Sequence, residues 1–189
     1  MTPGRIYLVR HGETTLNAGG RCQGQTDSDF TALGLHQIDE LAASLAHIDF
    51  DAAYTSPLAR ATRTAERVLR SRGLRAATVR ELTELSYGSL QGSRFDDWPD
   101  DLRSAWRDDP CSVTFPDGES LAVLHARVIP VFHAIASAHA GETVLVSAHG
   151  HVNRIILLDA LERPLTDFWT IEQHNGSFAM IDVRAGAVA

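Results

Sequence analysis

Cysteine is scarce in this sequence, with only Cys22 and Cys111 among 189 residues. Two cysteines are too few for a disulfide scaffold, which excludes the small cross-linked secreted proteins. The sequence also shows neither a signal peptide nor an apolar run long enough to cross a membrane. We therefore expect a cytoplasmic protein with free thiols that acts without a membrane.

Positive charge is in deficit as well. The chain carries 17 basic and 24 acidic residues, which gives a formal net charge of −7. A nucleic-acid-binding protein needs a basic face, so this composition argues against that class. An acidic protein still binds an anion where a few arginines converge in a cleft, because the field there is local. The expected partner is therefore a small molecule, while the composition gives no indication of the oligomeric state.

Strand-like and helical patterns alternate along the chain. A length of 189 residues with 44% hydrophobic residues suits one domain spanning 1–189. Helices are expected after the N-cap Thr31, from about Ser120 with a kink at Pro130, and after His149. A further helix is expected from Pro57 to Arg72, with Ser56 as its cap and Pro57 at its first position. Strands are expected at 5–9, 52–55, about 77–79, 143–147 and 177–183. This order predicts an α/β three-layer sandwich with a mostly parallel central sheet flanked by helices. The direction of the last strand stays open.

The segment 81–118 differs from the rest of the chain. It has no sustained period, and it carries two of the three tryptophans, so we expect a small inserted lid containing one or two short helices. Its aromatic residues have two open interpretations, a wall of the substrate pocket or the lid's own core. These residues are Phe95, Trp98, Trp106 and Phe115.

Three predicted strand ends carry similar chemistry. The first ends in Arg10-His11, the second is followed by Ser56 and Arg60, and the buried strand ends in His149-Gly150 at a helix start. Ligands of open α/β sheets bind beyond the carboxyl ends of the strands. Arginines, histidines and a helix N-terminus that converge there predict a phosphate site.

A metal site is the competing interpretation of the histidines. His149 and His151 stand two residues apart at a helix start, where neighbouring side chains diverge in direction. Such a pair does not suit metal ligation. We expect no metal and no cofactor.

Several motifs of this sequence resemble the signature of the histidine phosphatase superfamily, the phosphoglycerate-mutase-like proteins. They run in the family's order through nearly the whole chain, with two departures: Ala148 interrupts the usual Ser-His-Gly, and His151 replaces a small residue. The motifs are Arg10-His11-Gly12-Glu13 with Asn17, residues 20–27 (GRCQGQTD), 56–61 (SPLARA), 81–85 (ELTEL), 87–92 (YGSLQG), 118–120 (GES) and 147–150 (SAHG).

The resemblance implies a phosphohistidine mechanism. His11 would be the nucleophile, and Glu84 would be the general acid and base, with Glu81 as the rival carboxylate. A covalent intermediate divides one difficult displacement into two easier ones, and fixed arginines neutralise the phosphoryl charge without a metal. The groups implied to hold the phosphoryl oxygens or to line the site are Arg10, Arg60, His149, Gly150, Asn17, Gln23 and Gly24.

Three functions compete at this point. The leading one is a phosphoric monoester hydrolase, because the segment from Gly92 to His149 is short and leaves a phosphohistidine open to water. The second is a phosphoglycerate mutase, which residues 87–92 resemble. The third is a non-catalytic binding module, which the presence of every implied catalytic residue disfavours.

Overall fold

A computed structural model describes residues 4–184 and 187–188 of the chain, so the ends of the predicted 1–189 unit lie outside the described residues. The described residues form a six-stranded sheet in the order β3-β2-β4-β1-β5-β6. Its strands are β1 (Gly4–Arg10), β2 (Ala52–Thr55), β3 (Ala77–Thr78), β4 (Thr143–Ala148), β5 (Phe178–Arg184) and β6 (Ala187–Val188).

The centre of the sheet is parallel. Val146 of β4 lies opposite Leu8 of β1 and Tyr54 of β2, and β2 also pairs in parallel with β3. The last long strand, β5, pairs antiparallel with β1, and β6 pairs antiparallel with β5. The predicted mostly parallel sheet is therefore confirmed, and the direction that the sequence left open is antiparallel.

Six α-helices connect or flank these strands within the described residues. They are α1 (Thr15–Ala18), α2 (Ala32–Ser44), α3 (Ala59–Leu69), α4 (Asp100–Asp108), α5 (Leu121–Ala138) and α6 (Gly150–Ala160). Helix α2 begins as predicted, because the Thr31 side chain accepts a hydrogen bond from the Gly34 N–H at 2.9 Å. This contact satisfies one of the free amides of the first turn.

Helix α3 begins later than the sequence predicts. Its N-cap is Leu58, with extended backbone and no side-chain cap, so Ser56 is not the cap and Pro57 lies outside the helix. The reason is tertiary: the Ser56 hydroxyl lies 2.7 Å from His149 Nε2. The helix also ends at Leu69, before the predicted end at about residue 72.

Alternate residues of each central strand face opposite sides of the sheet, which is the period of a strand. Ile6 and Leu8 of β1 face the cluster formed by α5, α6 and the inserted segment, whereas Tyr7 and Val9 face α2 and α3. Burying an aliphatic side chain of this size stabilises the fold by about 1.5–3 kcal/mol. The two clusters fill the two interfaces between the sheet and the helices, which gives a helix–sheet–helix arrangement of three layers.

Helix α5 corrects one expectation from the sequence. Its 18 residues have a mean hydropathy of 1.5, so by length and composition alone it would be long and apolar enough to cross a membrane. In the structure its side chains Leu124, Val128 and Phe132 are fully buried against the sheet and α6. The helix therefore packs as a core helix. The expected kink at Pro130 stays a prediction, and so does the expected cytoplasmic location.

The inserted segment carries one α-helix, α4, and short 3₁₀ turns at Arg80–Leu82, Gly88–Leu90, Phe95–Asp97 and Pro110–Ser112. Trp98, Trp106 and Phe115 are at most 4% exposed, and Phe95 is half-buried. Their rings surround Tyr87 or one another, with centroids 4.8–6.3 Å apart. Of the two interpretations that the sequence left open, the structure supports the lid's own core.

Candidate active site

The carboxyl ends of β1, β2 and β4 meet at one edge of the sheet, because these strands are parallel neighbours in the order β2-β4-β1. The turn after β1 brings His11 next to His149, which follows β4, with ring centroids 5.3 Å apart. Arg60, in the first turn of α3, reaches the same point from the end of β2. The structure thus brings together the three strand ends that the sequence singled out.

The His11 ring is held in one tautomer. Its Nδ1 lies 2.8 Å from the Gly12 carbonyl, which only accepts, so Nδ1 carries the proton and Nε2 has the lone pair. Burial, and then the charges of Arg60 and Arg10, lower the pKa of His11 to about 3. The imidazole is therefore neutral near pH 7, with a nucleophilic nitrogen facing Arg60.

Gly12 is required by a close approach. A Cβ at this position would meet the Gly34 carbonyl oxygen at 2.3 Å, well inside contact distance. The first turn of α2 can thus pack directly against the backbone that holds His11.

Arg60 is 2% exposed and binds the loop that precedes α2. Its Nη2 donates to the Gly24 carbonyl at 2.6 Å, and its Nη1 donates to the Thr26 carbonyl at 3.0 Å and to Asp27 at 3.4 Å. Burial lowers the pKa of Arg60, while Glu84 and Asp27 oppose that effect. Gly24 therefore contributes to the site through its carbonyl, which fixes the guanidinium.

Arg10 enters from the end of β1. Its Nη1 donates to the Gln173 carbonyl, and its buried Nε has no hydrogen-bond partner among the described residues. A Cβ on Gly150 would lie 3.3 Å from the guanidinium carbon, so the glycine lets Arg10 approach the N-terminus of α6. Burial lowers the pKa of Arg10 to about 10, and the side chain stays charged near neutral pH.

His149 is fully buried, and burial followed by the Arg60 charge keeps its pKa well below the ordinary value. Ser56 is fully buried, and His149 Nε2, at 2.7 Å, is the one acceptor that its hydroxyl proton has among the described residues, since Ser56 Oγ itself accepts the Leu58 N–H at 3.3 Å; the hydroxyl therefore donates to Nε2. The ring proton of the neutral imidazole is then on Nδ1.

Two buried donors at this edge of the sheet thus lack a partner within the described residues, His149 Nδ1 and Arg10 Nε. Buried polar groups in folded proteins are almost always hydrogen-bonded. Oxygen atoms of an anion would satisfy both donors, and the two arginines would balance its charge.

Asn17 and Gln23 serve the entrance loop. Asn17 Oδ1 accepts from the Thr14 N–H at 3.2 Å and from Asn175 Nδ2 at 3.3 Å, and Asn175 also donates to the His11 carbonyl. The buried Gln23 amide accepts from Thr14 Oγ1 and donates to Ser28. Asn17 is therefore adjacent to the site, whereas the Gln23 amide is already engaged within the loop.

Glu84 and its rival Glu81 occupy different environments. Glu84 is 7% exposed and acts electrostatically on His11, Arg10 and Arg60, whereas Glu81 is exposed. Burial raises the pKa of Glu84, but His151, His149 and the Leu85 N–H outweigh it, and the net pKa lies well below the ordinary value. The carboxylate that faces the two histidines is Glu84.

Arg127 holds the backbone that presents Glu84. It donates to the carbonyls of Glu81, Thr83 and Glu84 at 2.6–3.0 Å, and it is paired with Glu119 at 2.8 Å. Since the guanidinium binds three carbonyls within residues 81–84, it fixes the position from which the Glu84 side chain enters the site.

The structure groups no three His, Cys, Asp or Glu side chains as a metal site in the part of the chain it describes. His149 and His151 also have different partners, Ser56 for the first and Glu84 with Tyr87 for the second.

The profile of the histidine phosphatase superfamily (branch 1) matches residues 6–189. The chain belongs to this superfamily. It is 31% identical to phosphoserine phosphatase 1 of Hydrogenobacter thermophilus over 184 residues, 95% of this chain and 87% of that protein. It is 38% identical to a 2,3-bisphosphoglycerate-dependent phosphoglycerate mutase of Sinorhizobium fredii over 173 residues, 85% of this chain and 82% of the mutase.

A solved structure shows the same fold. Bacillus stearothermophilus YhfR superposes with a TM-score of 0.93 and 28% sequence identity, over 98% of this chain and 94% of that chain. The family and the α/β fold expected from the sequence are confirmed. Relatives that carry phosphatase names agree with the expected phosphoric monoester hydrolase class.

Sequence reasoning missed several groups that hold the site. The Gln173 carbonyl fixes Arg10, Asn175 links Asn17 to the His11 backbone, and Tyr87 and His151 contact the Glu84 region. The loop that carries Gln173 and Asn175 has no periodic pattern, and a backbone carbonyl leaves no trace in a sequence. Two of these residues did stand out in the sequence without a role, Tyr87 within the motif 87–92 and His151 as a large residue where relatives have a small one.

Proposed function

We propose that this protein is a phosphomonoesterase that hydrolyses small phosphorylated metabolites through a phosphohistidine on His11. The observation that carries the proposal is the arrangement around His11 Nε2. A neutral ring nitrogen faces Arg60, while Arg10 Nε and His149 Nδ1 are buried donors without a partner among the described residues. This combination suits a phosphoryl group, whose oxygens need several charged donors at once.

In the first step, His11 Nε2 attacks phosphorus and the bond to the ester oxygen breaks. Arg10, Arg60 and His149 hold the three non-bridging oxygens, whose charge they neutralise in a buried environment where such interactions are strong. The leaving alkoxide takes a proton from the Glu84 carboxyl. A bound phosphate dianion supplies negative charge close to Glu84, which raises the pKa of that carboxyl from its low value in the free site.

In the second step, water attacks the phosphohistidine. Glu84, now a carboxylate, accepts a proton from that water, and the bond between Nε2 and phosphorus breaks. Inorganic phosphate leaves, and the neutral His11 ring and the protonated Glu84 are restored. Each step therefore uses the same three donors and the same carboxyl group.

A phosphoglycerate mutase is the second candidate. Its support is the 38% identity to the Sinorhizobium fredii mutase and the resemblance of residues 87–92 to the mutase segment. The hydrolase is favoured because the lid between β3 and α5 is short. A mutase must keep water from its phosphohistidine, and a short lid does this poorly.

Trapping of the intermediate tests the mechanism. Brief exposure to a labelled phosphate ester, followed by a quench, is expected to leave a label on His11 that acid removes and alkali does not. His11→Ala removes the label, whereas His47→Ala, at an exposed position between α2 and β2, keeps it. A label on Cys22 or on a serine would overturn the mechanism.

Product analysis separates the two candidates. With 3-phosphoglycerate as the probe, free phosphate is expected to appear faster than the 2-isomer, with or without added bisphosphoglycerate. Isomer formation ten times faster than phosphate release would assign the protein as a mutase. A panel of phosphorylated metabolites then identifies the preferred ester.

A further inference from the structure

His151 contacts the Glu84 carboxyl with two separate groups. Its backbone N–H donates to Glu84 Oε2 at 3.3 Å, and its ring Nδ1 lies 3.2 Å from the same oxygen. The side chains of His151 and Glu84 are only 14% and 9% exposed, so water competes little for this contact. The residue that departs from the family pattern is thus bound to the proposed acid.

The opposite nitrogen of the His151 ring is also engaged. The Tyr87 hydroxyl lies 3.1 Å from His151 Nε2. Burial raises the pKa of Tyr87 well above its ordinary value, so the phenol keeps its proton and can donate it to Nε2. A neutral His151 then carries its proton on Nδ1, directed at Glu84, and a charged His151 donates from the same atom.

Aromatic side chains fix the plane of this ring. Phe168 is stacked on His151 with an interplanar angle of 14° and a centroid distance of 5.5 Å, and Trp106 lies 5.9 Å away. Tyr87 itself packs against Phe115 at 4.8 Å and Trp98 at 5.7 Å. The buried lid core and Phe168 therefore hold His151, which contacts Glu84, and Tyr87, which contacts His151.

We propose that His151 is a positioning residue for the reaction, and that the working acid and base is a Glu84–His151 dyad supported by Tyr87. The proposal rests on the role of Glu84 in the proposed function. Each carboxylate oxygen accepts two hydrogen bonds. Oε2 is filled by the two His151 donors, while Oε1 accepts, within the described part of the chain, only the Leu85 N–H at 2.9 Å. The transferable proton is therefore placed on Oε1.

Charges from several elements act on this dyad. Arg10 at the end of β1, Arg60 on α3 and Arg154 on α6 each interact electrostatically with Glu84, as do the two site histidines and Tyr87. His151 adds the direct hydrogen bond. A hydrogen bond to a charged group changes its protonation equilibrium by about tenfold or more, which corresponds to about one pH unit.

The test measures Glu84 and turnover in the full chain. Carbon-13 NMR of the Glu84 carboxyl, in the free protein, is expected to show a pKa about one unit higher in His151→Ala than in wild type. His151→Asn, which offers an amide donor near the position of Nδ1, is expected to fall between them. This readout does not depend on catalysis, so it separates this proposal from failure of the proposed function.

Kinetics provide the second readout. For an alkyl phosphate, the single-turnover phosphorylation rate falls as Glu84 loses its proton, and His151→Ala is expected to move that fall to higher pH by the same amount. The maximal rate drops about tenfold because the proton is no longer held toward the ester oxygen. The leaving group of p-nitrophenyl phosphate needs no proton. With this ester the maximal rate is expected to change less than threefold, and the pH at which the rate falls is expected to move by less than the equivalent of threefold, about half a pH unit.

A matched control is His133→Ala, which removes another histidine–carboxylate pair, 2.7 Å from Asp159 on the outside of α5 and α6. It is expected to leave both readouts at wild-type values. Equal rate losses on the two esters, with an unchanged Glu84 pKa in His151→Ala, would reduce His151 to a packing residue and overturn the proposal. If His151→Ala fails to fold, Tyr87→Phe, which removes only the hydroxyl, gives the same readouts with smaller shifts.

Discussion

The Nε of Arg60 lies 3.2 Å from Nε2 of His11, the atom proposed to attack phosphorus. In the free site the arginine thus donates to the lone pair of the nucleophile. A phosphoryl group has to take over this donor when it binds, so that the charge that lowers the pKa of His11 becomes the charge that stabilises the transferred group. Arg60 is therefore expected to act on both binding and reaction.

Replacement of Arg60 by lysine tests this dual role. Lysine keeps a positive charge but loses the planar set of donors that reaches the Gly24 and Thr26 carbonyls as well as His11. We expect kcat/KM to fall by about 10²–10³, the range typical for loss of one transition-state donor. The control is Arg63→Lys, one turn later on α3 with a half-exposed side chain, expected to remain within twofold of wild type. A similar loss in both variants would point to the helix rather than to the donor geometry.

The pH dependence of stability follows from the two buried histidines. The pKa of His11 is lowered to about 3 and that of His149 lies well below the ordinary 6.5, both chiefly through burial. Below pH 6.5 the unfolded chain binds protons that the folded site excludes, so the free energy of unfolding decreases as the pH falls. Each histidine contributes a slope of up to about 1.4 kcal/mol per pH unit.

Urea unfolding between pH 7.5 and 5 measures this slope. His11→Ala is expected to reduce it by the contribution of one proton, while His47→Ala, which removes an exposed histidine, leaves it unchanged. Because the window lies above the ordinary pKa of glutamate, Glu84 does not enter the comparison. An unchanged slope in His11→Ala would show that His11 binds its proton equally well in the folded and the unfolded chain, which contradicts the lowered pKa.

Local patterns were sufficient to predict the centre of the sheet and the strand-end residues. The strands β1, β2 and β4 are short apolar runs followed directly by their functional side chains, so the chemistry and the structure are encoded in the same few residues. The order of parallel strands then brings Arg10, His11 and His149 to one edge, as the general rule for α/β sheets predicts.

Long-range contacts account for what the sequence could not give. Local rules make Ser56 a helix cap, but its hydroxyl is bound by His149, 93 residues away. The contact between His151 and Glu84 joins residues that are 67 positions apart, so no local sequence pattern predicts it. The lid aromatics are equally apolar as a pocket wall or as a core, and only their packing around Tyr87 distinguishes the two.

Metal removal should leave activity intact. The charge of the phosphoryl group is proposed to be balanced by Arg10 and Arg60, and a guanidinium stays charged without any ion. Prolonged dialysis against a chelator is therefore expected to leave the rate within experimental error of the untreated enzyme. Activity that is lost on dialysis and restored by a divalent cation would contradict the site as described.

The assignment of the acid to Glu84 is tested by its isosteric amide. An alkyl phosphate leaves as an alkoxide of high pKa and needs a proton, whereas p-nitrophenolate leaves without one. Glu84→Gln is therefore expected to slow single-turnover phosphorylation by alkyl esters by about 10²–10⁴, and by the nitrophenyl ester much less. The matched control is Glu81→Gln, in the same segment but exposed, with no expected loss on either ester. Equal losses on both esters in Glu84→Gln would assign that residue to positioning, and a leaving-group-dependent loss in Glu81→Gln would move the acid there.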